Sequence, residues 1–245
     1  MTPIRAYAGG PGFKGISFDS LHNVSSKLRS ILPDSEIEYL DADALSKACE
    51  NKYESKRQLI VFPGGVCSEW DPFFNSEMLS KIRKAIEDGS SGLFICAGAY
   101  FASSKSCFKT EYAVFKKKRD LKLYTGKVKG PYFPEKSRHD VENGRIVPIL
   151  WEQTKETGFV FINGGGYFKR PYPDTAEVLA SYEDGKAAII SLKASQGKIV
   201  LSFVHLEYDE LDPEISSDNQ SLRSKFVESQ NFRKACWTYI TEILK

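Results

Sequence analysis

The sequence predicts an α/β protein with a mostly parallel sheet, helices on both faces and additional β-hairpins in its second half. Three observations lead to this prediction. In the first hundred residues, short and almost entirely apolar runs alternate with amphipathic segments, and after about residue 110 glycine-rich turns separate the strand-like segments. Strands that are apolar throughout are typical of parallel sheets that are covered on both faces.

The first half predicts four strands separated by helices. Apolar runs indicate strands at residues 4–8, 37–40, 58–62 and 92–96. Apolar residues recur at helical spacing over residues 21–32 and from residue 78 to near Gly89, which predicts two amphipathic helices. This alternation of strands and helices is typical of parallel strands joined by right-handed crossovers.

The second half predicts antiparallel strands. Strand-like segments occupy residues 121–128, 146–151, 158–162, 177–182, 187–192 and 199–204, and the turns at 163–166 and 184–185 leave no room for a crossover helix. Such spacing indicates hairpins that extend or cover the sheet, followed by a closing helix between residues 222 and 244. No repeat or Pro/Ser-rich linker marks a boundary, so we expect a single domain over residues 1–245.

Composition narrows the function classes. There are 34 basic and 32 acidic residues with a net charge of +2, so charge indicates neither a nucleic-acid nor a membrane partner. The basic run at residues 116–119 is expected to be a solvated face. The start lacks a signal-peptide core and no run approaches the ~20 apolar residues of a spanning helix, which predicts a cytoplasmic protein. Five cysteines without a Cys-x-x-Cys pair argue against a disulfide framework and a zinc site; we expect no metal and no cofactor.

The candidate catalytic residues follow two predicted strands. The apolar run at 92–95 ends on Cys96, which small residues follow, as in a nucleophile elbow that holds one side chain above the sheet. His205 and Glu207 follow the strand at 199–204. If that strand lies beside the elbow strand, His205 reaches Cys96 and Glu207 orients the imidazole, which gives a Cys-His-Glu triad. The structural alternatives are a buried thiol, a strand-end histidine and a surface carboxylate.

Small residues around the cysteine predict the rest of the site. Gly64 and Gly65 follow a buried strand, and their N–H groups could join that of Ala97 as donors to an oxyanion. Gly98 and Tyr100 complete the predicted oxyanion and substrate-binding set. A helix that starts after the cysteine would favour the thiolate. We also expect the turn at residues 163–166 to line the pocket, and Cys67 to approach the site.

Seven motifs come in one order along the chain. They are Tyr-Ala-Gly-Gly-Pro-Gly at 7–12, Val-Phe-Pro-Gly-Gly at 61–65, Cys-Ala-Gly-Ala-Tyr-Phe at 96–101, Arg-Asp-Leu at 119–121, Gly-Pro at 130–131, Asn-Gly-Gly-Gly at 163–166 and His-Leu-Glu at 205–207. This series resembles the class I glutamine-amidotransferase-like domain that precedes the catalytic region of some eukaryotic biotin-protein ligases. The resemblance implies a flavodoxin-like sheet with Cys96, His205 and Glu207 at its carboxyl edge.

The resemblance does not imply ligase chemistry, because the Gly-Arg-Gly-Arg-type loop and the Lys-Trp-Pro-Asn-Asp-type segment of the ligase catalytic region are missing. The chain alone is not expected to biotinylate a substrate. It also departs from the Gly-x-Cys-x-Gly pattern of class I glutaminases, with Phe94 at the first glycine and Tyr100 at the glutamine that follows. These changes argue against glutaminase activity.

Three hypotheses remain open. The first is a protein whose Cys96 pocket binds a small amide or acyl compound and hydrolyses it or transfers from it. The second is a non-catalytic binding or regulatory module that partners biotin-protein ligase or another acyl-transfer enzyme. The third is an intracellular cysteine peptidase or hydrolase on the same fold.

Overall fold

The computed structural model describes residues 2–50, 57–135, 144–209, 212 and 220–245. The strands are β1 (Ile4–Tyr7), β2 (Ile37–Leu40), β3 (Leu59–Phe62), β4 (Ser91–Ile95), β5 (Ser103–Thr110), β6 (Val114–Lys118), β7 (Tyr124–Glu135), β8 (Arg145–Trp151), β9 (Thr157–Ile162), β10 (Tyr167–Lys169), β11 (Ala176–Tyr182), β12 (Ala187–Ala194) and β13 (Gly197–Ser202). The helices are α1 (Phe18–Ile31), α2 (Ala42–Glu50), α3 (Ser76–Glu87), α4 (Ala97–Ala102), α5 (Gln220–Glu228) and α6 (Gln230–Leu244).

The first four strands pair in parallel, as predicted, and the structure gives their order as β2-β1-β3-β4. Strands β1, β3 and β4 are completely buried, because helices cover both faces. The apolar sides of α1 and α6 pack on one face, and those of α2 and α3 pack on the other. Helix α2 is an addition to the predicted elements; with nine residues it carries too short an apolar pattern to stand out.

Strand β13 lies parallel to β4, so the sheet brings together two segments that are distant in sequence. Leu201 pairs with Phe94 and Ser202 with Ile95, and the Cys96 N–H donates to the Ser202 carbonyl at 2.7 Å. The carboxyl ends of both strands therefore meet at one edge. This pairing meets the condition on which the predicted approach of His205 to Cys96 depends.

The second half extends the same sheet mainly through antiparallel pairs, although β5 and β7 pair in parallel. Strand β12 pairs with β13, β11 and β10, and β8 pairs with β11 and β9, which confirms the predicted hairpins. The predicted strand at 121–128 is wrong in its bounds, because β7 starts at Tyr124 and runs to Glu135. The β5–β6 hairpin was not predicted; its sequence is mostly polar and β6 is an exposed edge strand.

Two helices close the chain where one was predicted. Helix α5 ends at Glu228 and α6 begins at Gln230, with Ser229 between them. The Ser229 hydroxyl accepts a hydrogen bond from the Phe159 N–H at 2.9 Å, which ties this break to strand β9. Among the helices of the described residues, none is both long enough and apolar enough to cross a membrane.

Candidate functional site

Cys96 occupies a sharp turn between β4 and α4, as the sequence predicts. Its backbone lies at φ 48° and ψ −102°, a conformation that non-glycine residues rarely adopt. The turn is tight because α4 packs closely on β3: a Cβ at Gly98 would lie 2.4 Å from the Phe62 carbonyl oxygen. Gly98 therefore permits the close approach of the helix, and the strained turn fixes the direction of the Cys96 side chain.

His205 and Glu207 form a buried pair beside Cys96. The His205 Nδ1 lies 2.7 Å from Glu207 Oε1, and the two residues are 4% and 1% exposed. The backbone N–H of His205 donates to the Phe161 carbonyl at 2.8 Å, which anchors the segment after β13. Cys96 and His205 line the same cavity, and a hydrogen bond with the Cys96 thiol is among the causes that raise the pKa of His205. The structure thus brings all three predicted catalytic residues together.

The environment of the imidazole makes His205 a stronger base than an ordinary histidine. Burial on its own lowers the pKa of His205, but the Glu207 charge and hydrogen bonds with Cys96 and Glu207 outweigh burial and raise the pKa well above 6.5. A ring that takes up a proton readily, beside a thiol, is suited to receive the thiol proton.

Ser20 is a member of this cluster that sequence analysis missed. It is completely buried on α1, and its Oγ donates to Glu207 Oε1 at 2.9 Å and accepts from the Gly64 N–H at 2.9 Å. The available signal was a hydroxyl on the apolar side of the helix, next to Leu21 and one turn before Val24.

Two of the predicted oxyanion donors remain available. The Gly64 N–H is engaged by Ser20, and the Gly98 N–H donates to the Pro63 carbonyl at 3.3 Å. Within the described part of the chain, the N–H groups of Gly65 and Ala97 have no hydrogen-bond acceptor. These two groups are therefore the candidates for binding an oxyanion.

A cavity of about 570 Å³ opens above Cys96. Asn163 and Gly164 line it, as predicted for this turn. The Cys96 thiol donates to the Asn163 carbonyl at 3.4 Å, and the Tyr100 hydroxyl donates to the Gly164 carbonyl at 3.1 Å. Tyr100 thus holds the turn that faces the cysteine.

Arg119 also lines the cavity, and its burial corrects one part of the prediction that the run 116–119 is a solvated face: positions 116–118 are exposed, as predicted, whereas Arg119 is buried. Arg119 is 7% exposed and donates to Asp71 at 3.1 Å, Ser106 at 2.8 Å and the Cys67 sulfur at 3.2 Å. Cys67 and Cys96 line the same cavity, and neither forms a disulfide with a described residue. Among the described residues, no group of three or more His, Cys, Asp or Glu side chains is placed to hold a metal ion.

Phe94 replaces an elbow glycine without opening the core. Its ring is fully buried and stacks on Phe62 with centroids 5.2 Å apart and an interplanar angle of 13°. The space for this ring comes from Gly92, where a Cβ would lie 2.5 Å from Phe94 Cε2. The glycine that relieves crowding next to the elbow therefore lies two residues earlier on β4.

Solved structures with the same fold include two proteins of nearly equal length. A glutamine amidotransferase from Thermotoga maritima aligns with a TM-score of 0.54 at 15% identity, over 100% of this chain and 98% of that one. A putative GMP synthase protein from Thermoplasma acidophilum aligns with a TM-score of 0.52 at 16% identity, over 99% and 98%. At these identities the likeness concerns the fold, which is class I glutamine amidotransferase-like.

Sequence relatives give a closer assignment. The chain is 27% identical over 235 residues to the biotin–protein ligase of Schizosaccharomyces pombe, a match that covers 91% of the chain but 35% of the ligase. It is 31% identical over 166 residues to an uncharacterised protein of Chlamydia muridarum, which covers 65% of the chain and 64% of that protein. The chain thus spans less than two thirds of each relative's length. Residues 6–245 match the family described as "Biotin-protein ligase, N terminal", so the chain belongs to the biotin-protein ligase N-terminal family.

Proposed function

We propose that this chain is a cytoplasmic, cysteine-dependent protein that hydrolyses a small amide or acyl compound, or transfers a group from it. One observation carries the proposal: Cys96, held in a strained turn, meets the buried His205–Glu207 pair at the floor of a cavity of about 570 Å³. Cavities of this size suit small-molecule ligands. Cys96 is the nucleophile, His205 the base and Glu207 the residue that orients the imidazole.

The reaction would proceed through a thioester. The Cys96 sulfur attacks the carbonyl carbon while His205 takes the thiol proton, and the negative charge that develops on the carbonyl oxygen is stabilised by the Gly65 and Ala97 N–H groups. The tetrahedral intermediate collapses when the carbon–nitrogen bond of an amide breaks and the imidazolium returns its proton to the leaving amine. Water, or an acceptor in a transfer reaction, then attacks the thioester carbonyl carbon while His205 takes its proton. The carbon–sulfur bond breaks, the acid or the acylated acceptor leaves, and the imidazolium returns the proton to the Cys96 sulfur.

Electrophile labelling with mass spectrometry tests this proposal. Burial raises the pKa of Cys49 and Cys236 to about 12 each, so both thiols serve as unreactive references. Cys107 is half-buried, more exposed than Cys96, and serves as the reference for accessibility. At neutral pH we expect Cys96 to react at least about tenfold faster than Cys107, because only a thiolate attacks readily.

The His205→Asn variant is the matched control, because it removes the base and keeps the cysteine. We expect it to reduce labelling at Cys96 and to leave Cys107 unchanged. Equal rates at Cys96 and Cys107 in the wild type would overturn the activated-thiol proposal. A panel of small amides and short peptides then separates a small-molecule enzyme from a peptidase on the same fold.

A second candidate function is a binding or regulatory module for biotin-protein ligase or another acyl-transfer enzyme. The observation that favours it is the match to 35% of a ligase, in which the equivalent segment is part of a longer chain. Titration calorimetry with a purified biotin-protein ligase measures this interaction. Absence of binding, together with turnover of an amide that Cys96→Ala abolishes, would exclude the module as the main function.

A further inference from the structure

The hydroxyl of Ser20 connects two parts of the candidate site. It is the donor to Glu207 Oε1, the same oxygen that faces His205 Nδ1, and the acceptor of the Gly64 N–H. Glu207 Oε2 is buried and has no hydrogen-bond partner among the described residues. The carboxylate is therefore held through one oxygen, by Ser20 on one side and by the imidazole on the other.

The Gly64 N–H group determines which atom is the donor in each of these hydrogen bonds. A backbone N–H can only donate, so Ser20 Oγ accepts from Gly64, and its own proton points to Glu207 Oε1. Glu207 Oε1 therefore accepts both hydrogen bonds, one from the Ser20 hydroxyl and one from the Nδ1–H group of His205. The lone pair of the neutral imidazole is then on Nε2, the nitrogen left for the Cys96 proton.

We propose that Ser20 is a positioning residue of the site, which fixes the Glu207 carboxylate, and through it the His205 tautomer, while it orients the Gly64–Gly65 turn. The inference rests on the proposed function for its chemical meaning. The space around Gly64 supports the coupling, because a Cβ there would lie 2.9 Å from His205 Cε1 and 3.0 Å from Ser20 Oγ. Peptide turn, hydroxyl and imidazole are thus packed against one another.

Ser25 provides a matched control on the same helix. It is 1% exposed, and its hydroxyl donates to the Leu21 carbonyl at 2.7 Å, a bond within α1 that does not reach the site. Ser20→Ala and Ser25→Ala therefore remove the same atom from equally buried positions. A purely structural role predicts equal effects for the two variants at His205.

Imidazole nitrogen NMR is the decisive measurement, because the chain has three histidines and His205→Asn identifies the signal of interest. In the wild type we expect the proton of the neutral ring on Nδ1. In Ser20→Ala the Glu207 carboxylate loses one hydrogen-bond donor and attracts the imidazolium more strongly. We therefore expect the midpoint of the His205 titration to rise by about one pH unit. Ser25→Ala should have the wild-type midpoint. Ser20→Thr keeps the hydroxyl and should also have the wild-type midpoint.

Labelling of Cys96 supplies a second readout. We expect Ser20→Ala to slow it on the order of tenfold through loss of alignment, while Ser25→Ala stays at the wild-type rate. Identical His205 titrations in the two alanine variants would overturn the inference. An unreactive Cys96 combined with a shift confined to Ser20→Ala would refute the proposed chemistry but retain Ser20 as the positioning residue. If Ser20→Ala fails to fold, Ser20→Cys, which keeps the volume with a weak donor, takes its place in the NMR comparison.

Discussion

Gly92 and Phe94 are expected to be energetically coupled, because one makes room for the other. They lie on the same side of β4, two residues apart, and a Cβ at Gly92 would lie 2.5 Å from Phe94 Cε2 and 3.3 Å from Ile86 Cδ1. The ring cannot swing aside, since it is fully buried and stacked on Phe62. Gly92→Ala therefore overfills the core.

The magnitudes follow from these contacts. Overpacking by a methyl group costs about 1–3 kcal/mol of unfolding free energy, which we expect for Gly92→Ala. Phe94→Ala removes a buried ring and should cost about 3–5 kcal/mol. In the double variant the new methyl group enters the space that the ring vacated. Gly92→Ala should therefore cause almost no further loss of unfolding free energy when Phe94 is already alanine. The interaction energy between the two substitutions is then about −1 to −3 kcal/mol.

Urea unfolding of the wild type, both single variants and the double variant measures this coupling. Phe13, which is 53% exposed, supplies the control: Phe13→Ala and Gly92→Ala should be additive. If Phe94→Ala is too unstable for a native baseline, Phe94→Leu completes the cycle with a smaller truncation. If the effects of the Gly92 and Phe94 substitutions add to within about 0.5 kcal/mol, the idea that Gly92 makes room for the Phe94 ring is refuted.

Three further predictions concern the site. Gly65 has φ +142°, and a Cβ there would lie 2.1 Å from the Gly15 carbonyl oxygen. Gly65→Ala should therefore reduce the free energy of unfolding by more than about 2 kcal/mol and lower the melting temperature. An unchanged melting temperature would contradict this. Tyr100→Phe should cost about 1 kcal/mol in urea unfolding, since the Gly164 carbonyl loses its donor, and no loss would show that the bond is dispensable. The raised pKa of His205 contributes stability that is fully present below pH ~6.5, the ordinary pKa of histidine, and is lost as the pH rises through the folded-state pKa. The free energy of unfolding of the wild type should therefore fall as the pH is raised above ~6.5, and His205→Asn should not show this fall. Parallel pH profiles of the two proteins would contradict the prediction.

The sequence was sufficient for the part of the fold that the hydrophobic effect dictates. Strands β1, β3 and β4 are buried throughout, so apolar content alone identified them. Their alternation with helices predicted that they pair in parallel. The pairing of β13 with β4 could be stated only as a condition, because two apolar strands that precede Cys96 and His205 suggest a shared edge without specifying which strands are neighbours.

The remaining features depend on tertiary neighbours. The β5–β6 hairpin is polar and is held by sheet pairing, which leaves no apolar period to detect. Ser20 became visible when the fold placed α1 against the Glu207 carboxylate. Arg119 belongs to a basic run that resembles a solvated face, and its burial depends on Asp71, which lies 48 positions away in sequence. Partners of this kind are specified by three-dimensional packing rather than by local pattern.

The strain at Cys96 favours chemistry over a purely binding role. A binding module gains nothing from a cysteine at φ 48° and ψ −102°, where glycine would remove a cost on the order of 1–3 kcal/mol. The elbow holds this conformation even though Phe94 stands where an elbow usually has glycine and the packing is arranged around Gly92 instead. The turn places Cys96 beside His205, and both residues line the cavity. A stable scaffold alone does not require that placement, whereas proton transfer from the thiol does.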